Sequence, residues 1–167
     1  MQKLLASIMA FFTLLPFATW GFGQENAYLA VFKAVVQEKK LTDKKYLAIN
    51  LGNVKLADTA KLEKAIKAYC IKHNITLLPY DYDWLVEEGY IEVVGTLFEG
   101  DDPYDDWRFA NGALTGFYGE KLTRNSLVTG VSVHSRATGP TSGESLTYVV
   151  KRFLCMWTII ETATIVA

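Results

Sequence analysis

At Gly89 the chain changes its hydrophobic period, and this constrains the fold more than any other feature. Before it, apolar residues recur at helical spacing. After it come "IEVVGTLFEG", "GALTGFYGEKL", "NSLVTGVSVHSRA", "ESLTYVVKRF" and "CMWTIIETATIVA", rich in β-branched and aromatic residues. Turn-forming clusters such as "DDPYDD" and "TGPTSG" separate them, which is how successive strands read. Helices first and strands afterwards predict an α+β domain, with N-terminal helices packed on a C-terminal antiparallel sheet.

In the helical part, "ENAYLAVFKAVVQEK" sets Tyr28, Phe32, Val35 and Val36, with Leu29 and Val31 beside them, on one broad face. "KYLAINLG", with Gly52 closing it, predicts a strand. "DTAKLEKAIKAYCIKHN" starts at Asp58 as N-cap and carries Leu62, Ile66, Tyr69 and Cys70 along one side. Its Lys61, Lys64 and Lys67 read as a solvated face, and His73 sits where it meets the helix's last carbonyls. "YDYDWLVEEGY" predicts a short helix stopped by Gly89, with Tyr82, Trp84 and Leu85 inward.

The first residues have a different character. Between Lys3 and Glu25 nothing is charged, and "LLASIMAFFTLL" precedes Pro16 and then small residues. That is the order of a secretory signal peptide. Gly21 and Gly23 suit the minus-three and minus-one positions, so residues 1–23 are expected to be removed and the mature domain to run from Gln24 to Ala167. Pro16, Gly21 and Gly23 weigh against a retained spanning helix, and no cysteine follows the cut to take a lipid. The expected location is secreted or periplasmic, with no membrane span after removal. The remaining 144 residues suit one domain. A balance of 17 basic and 18 acidic residues gives no electrostatic footprint for nucleic acid.

Candidate chemistry is sparse. Cys70 and Cys155 are candidate disulfide partners in an oxidising compartment and equally suit buried thiols. Two isolated cysteines do not make a zinc site. Ten acidic residues fall between Asp81 and Asp106, and Asp101, Asp102, Asp105 and Asp106 lie within six positions. Calcium takes several carboxylates from a short loop, but the EF-hand order is missing, and a solvated loop is expected. "VSVHSR" places Ser132 and His134 on one face of a predicted strand and Ser135 on the other. Neighbours on a straight strand do not make a triad, and the Gly-x-Ser-x-Gly elbow is missing. Neither a Walker loop nor a dinucleotide fingerprint occurs, and no cofactor is expected. Tyr80, Tyr82, Trp84, Tyr104, Trp107 and Phe109 suit core packing more than a sugar or peptide site.

The stretch "RATGPTSGESLTYVVKRFLCMWTIIETATIVA" resembles the C-terminal end of small secreted uncharacterised proteins of Bacteroidetes-type bacteria. The residues that carry the likeness are Gly139, Gly143, Glu144, Tyr148, Lys151, Trp157 and Ile165, about a fifth of the chain. It departs at "RFLC", where such proteins have a polar Gly-Lys turn. The general plan resembles cystatin-like and NTF2-like cones. Neither resemblance implies a catalytic residue. The expectation is a non-catalytic exported domain that binds a small ligand under its helix layer or another envelope protein. The alternative is an NTF2-like enzyme using His134 and Asp101 as an acid-base pair in a pocket between sheet and helices.

Overall fold

The computed structural model describes residues 19–20, 23–99, 102–137 and 144–166. The expected leader falls outside the described residues except for Thr19, Trp20 and Gly23, and Asp101, Gly139 and Gly143 also lie outside them. In chain order the elements are β1 (Thr19–Trp20), α1 (Glu25–Glu38), a single 3-10 turn (Leu41–Asp43), β2 (Tyr46–Asn50), α2 (Ala60–Lys72), β3 (Thr76–Leu78) and α3 (Tyr82–Glu87). The strands β4 (Ile91–Glu99), β5 (Asp102–Phe109), β6 (Gly112–Leu122), β7 (Ser126–His134), β8 (Arg136–Ala137), β9 (Glu144–Phe153) and β10 (Met156–Val166) follow.

Seven strands form one sheet in the order β1-β10-β9-β7-β6-β2-β3. The helix-then-strand composition and the antiparallel β6-β7-β9-β10 core match expectation. The sheet is nevertheless mixed, because β2 runs parallel to both β6 and β3. Two parallel neighbours need a crossover, and α2 supplies it. The three-residue β3 is too short to show a period.

Side-chain alternation sorts the sheet into two faces. On one, Leu47, Ala113, Phe117, Val131, Leu146, Tyr148, Val150 and Trp157 meet the buried stripe of α1 and Leu62, Ile66 and Cys70 of α2. Tyr28 meets Phe117 edge to face at 5.4 Å, and Phe32 meets Tyr69 at 5.7 Å, tying α1 to the sheet and to α2. Tyr148 donates from its buried hydroxyl to Glu38 Oε2 at 2.8 Å, and Lys39 pairs with Glu144. Both contacts hold the C-terminal end of α1 to β9.

The opposite face carries a smaller cluster of Ala48, Leu85, Ile91, Phe109 and Leu114. A second sheet, β4-β5-β8, and α3 build it. Tyr82 meets Trp107 at 6.1 Å and Trp84 stacks on Tyr90 at 5.6 Å, so these aromatics are packing residues as expected. Asp81 caps α3 by accepting from Trp84 N–H at 3.1 Å, and Gly89 at φ +74° ends the helix where a side chain would be strained.

Two local expectations are corrected. Asp102, Asp105 and Asp106 lie in strand β5, antiparallel to β4, and not in a loop. Pairing along the whole of β4 outweighs the turn preference of aspartate and proline. Among the described residues, β8 covers β5 at Trp107 and Arg108 and not at Pro103, which suits a residue with no N–H to give to a ladder. The N-cap of α2 is Thr59, one residue later than expected, while Asp58 Oδ1 accepts from Ala60 N–H at 2.9 Å.

The cysteines are both free. Cys70 is buried in α2 against the core. Cys155 lies in the β9–β10 turn and not inside a strand. Burial pushes the Cys70 thiol from 9.0 up to about 11. A raised folded-state value means the folded protein keeps a proton that the unfolded chain releases. This contribution to stability is complete below pH 9.0 and is lost as the pH climbs towards about 11. Cys70→Ala is expected to flatten that part of the stability profile. In native protein, one thiol reagent equivalent should react at Cys155, and the second only after unfolding. Two fast equivalents would contradict the placement of Cys70, and none in unreduced protein even after unfolding would show a bond.

Candidate functional site

The βαβ unit β2-α2-β3 leaves its mark at the carboxyl ends of its strands. The apolar stripe of α2 is narrow, with Leu62, Ile66 and Cys70 buried. Beneath its N-terminal half lies a cleft of about 510 Å³. Ile49, Leu51, Ile66, Leu77 and Leu78 make it apolar. Pro79 and Tyr80 line it where the chain leaves β3, and Glu63, Lys64 and Lys67 line it from α2. Clefts outside the carboxyl ends of parallel strands are where open α/β sheets take ligands, and this volume suits a small molecule.

The two sides of the cleft differ in charge. Glu63 is occupied, since its Oε1 accepts from Thr59 Oγ1 at 2.5 Å. Lys64 and Lys67 are exposed, which fits the solvated face expected of them and also leaves two ammonium groups beside an apolar floor. Tyr80, still 47 % exposed, lines the cleft from its acidic stretch.

The sequence-predicted candidates lie elsewhere. Ser132 and His134 share a face of β7, as alternation requires, but it is the face away from α1 and α2. His134 pairs in register with Leu114 of the smaller cluster. Ser132 stands in a polar row, Asn50–Gly116–Ser132–Ser145, that crosses four strands. The cleft lining does not include His134. Among the described residues, no group of three His, Cys, Asp or Glu is placed to hold a metal. His73 ends α2, its N–H donating to Tyr69 O at 3.2 Å and its ring 4.3 Å from that of Tyr69.

Leu51, Leu77, Leu78 and Pro79 were not foreseen as lining residues. The one signal for them is the apolar run "ITLLPY" directly after a helix, which reads equally as core. No family model, curated protein or solved structure matches this chain.

Proposed function

We propose that this chain is an exported, non-catalytic binding domain whose α2 cleft takes a small apolar molecule ending in an acidic group. The observation that carries the proposal is the cleft itself, an apolar floor at the carboxyl ends of β2 and β3 beside Lys64 and Lys67. It lies under the helix layer, where a cone of cystatin-like or NTF2-like plan would take a ligand, and α1 across β7, β9 and β10 supports that plan. Export rests on the uncharged run between Lys3 and Glu25 and the small residues that end it. The enzymatic alternative has less support, because His134 is on the opposite face of the sheet from the cleft.

The test is titration with 1-anilinonaphthalene-8-sulfonate, an apolar probe with one acidic group, against neutral N-phenylnaphthylamine. Saturable binding of the sulfonate at one site is expected. Ala60→Trp, on the exposed first residue of α2, should fill the cleft and weaken both probes by at least about tenfold, equal to about 1.4 kcal/mol. Lys64→Glu with Lys67→Glu should weaken the sulfonate by about three- to fivefold and leave the neutral probe unchanged, the scale of exposed ion pairs. Binding that ignores Ala60→Trp would contradict the site.

A further inference from the structure

One end of the sheet has an unusual surface. The β9–β10 hairpin turns on Leu154 and Cys155, with Phe153 paired to Met156. Phe153 is 67 % exposed and Leu154 is 82 % exposed. Leu154 also holds φ +56°, a conformation in which glycine or asparagine is at ease and a branched apolar side chain is strained. A turn chosen for folding alone would not present leucine there.

The neighbouring side chains are basic. The β6–β7 turn lies against this tip, Arg152 N–H donating to Asn125 O at 2.9 Å. The turn brings Lys121 and Arg124, both exposed, close to Lys151 and Arg152. From Lys121 to Val128 and from Tyr148 to Ile159 there is no Asp or Glu.

We infer that this end of the sheet docks on an anionic lipid bilayer, Phe153 and Leu154 entering the headgroup region while Lys121, Arg124 and Lys151 face the anionic headgroups. Two apolar side chains alone bind a bilayer weakly, and a basic ring supplies the second signal that stable attachment needs. Arginine and lysine stems also tolerate this depth, their charged ends reaching back to the headgroups. β2, β6 and β9 all end at this side of the sheet, so the α2 cleft opens at the same end, although docking does not depend on what the cleft holds.

The experiment is sedimentation of the protein, as cells produce it, with vesicles of phosphatidylcholine alone and of phosphatidylcholine with phosphatidylglycerol. Partition onto the anionic vesicles is expected, weakening as salt is raised. Phe153→Ser with Leu154→Asn should lower it by about tenfold or more. Asparagine suits the left-handed turn, so an unchanged melting temperature should separate this loss from misfolding. Arg124→Ala and Lys151→Ala should each cost about fivefold, the factor that corresponds to about 1 kcal/mol per basic residue near an anionic surface. Ala60→Trp should partition like the unaltered protein, which keeps the docking surface distinct from the cleft. Failure of the unaltered protein to partition, or equal partition of the Phe153→Ser, Leu154→Asn variant, would overturn the proposal. Self-association lost in that variant, without vesicle binding, would make the tip a protein contact instead.

Discussion

Replacing Trp157 by alanine is expected to remove about 3–5 kcal/mol of stability, the range for truncating a large buried aromatic, and to lower the melting temperature by roughly 10 °C. Trp157 is fully buried on β10 and belongs to the main cluster under α1. The loss combines removed apolar area with a cavity that neighbouring strands cannot close, since β9 fixes β10 along its length. The Arg152 guanidinium sits 5.9 Å from the ring, so alanine also deprives that cation of its aromatic partner. Trp157→Phe should cost far less, under about 1.5 kcal/mol. It keeps a six-membered ring in the site and gives up the remainder of the indole, whose N–H meets no protein acceptor among the described residues. Calorimetric melts of the two variants check this. Equal losses would contradict the account in which filled apolar volume is what position 157 contributes.

Phe109→Ala should produce a loss of similar size, about 3–5 kcal/mol, but distributed differently. Phe109 is buried in the smaller cluster and fills the space above Gly112, where a Cβ would come within 2.1 Å of its ring. That cluster joins the seven-stranded sheet chiefly through Ala48 and Leu114, whereas α3, β4 and β5 depend on it for burial. Hydrogen exchange should therefore show the amides of α3, β4 and β5 losing protection first, while β9 and β10 hold theirs. A uniform fall across both sheets would contradict two separable clusters.

The parts of this fold that were legible in the sequence are those with a long period. α1, α2 and the strands β6, β7, β9 and β10 announce themselves through recurrent apolar positions, and each is packed on the face that alternation predicts. β5 was illegible because "DDPYDDW" carries turn residues. Its strand conformation comes from pairing with β4, a contact no local pattern records. Strand direction was equally hidden, because Tyr46–Asn50 reads the same whether β6 lies parallel or antiparallel to it.

The cleft was less legible than the fold. Ile49, Leu51 and Leu77 are ordinary core residues by type, and only the short β3 beside β2 turns them into the floor of an opening. Lys64 and Lys67 read as solvent-facing residues, which they are. Their second property, standing beside apolar surface, comes from Ile49, Leu51 and Leu77 lining the same cleft, a neighbourhood no local pattern records. His134, the histidine considered for catalysis, is on the other face.

Methyl-resolved NMR with dodecanoate, a flexible apolar acid unrelated in shape to the fluorescent probe, tests the cleft most directly. Saturable shifts are expected at the methyl groups of Ile49, Leu51, Ile66 and Leu77. Those of Leu114 and Val149, on the opposite face, should remain still, and Ala60→Trp should abolish the response. Shifts centred instead on Leu114 and the surroundings of His134, with the α2 methyl groups silent, would contradict a binding cleft under this helix.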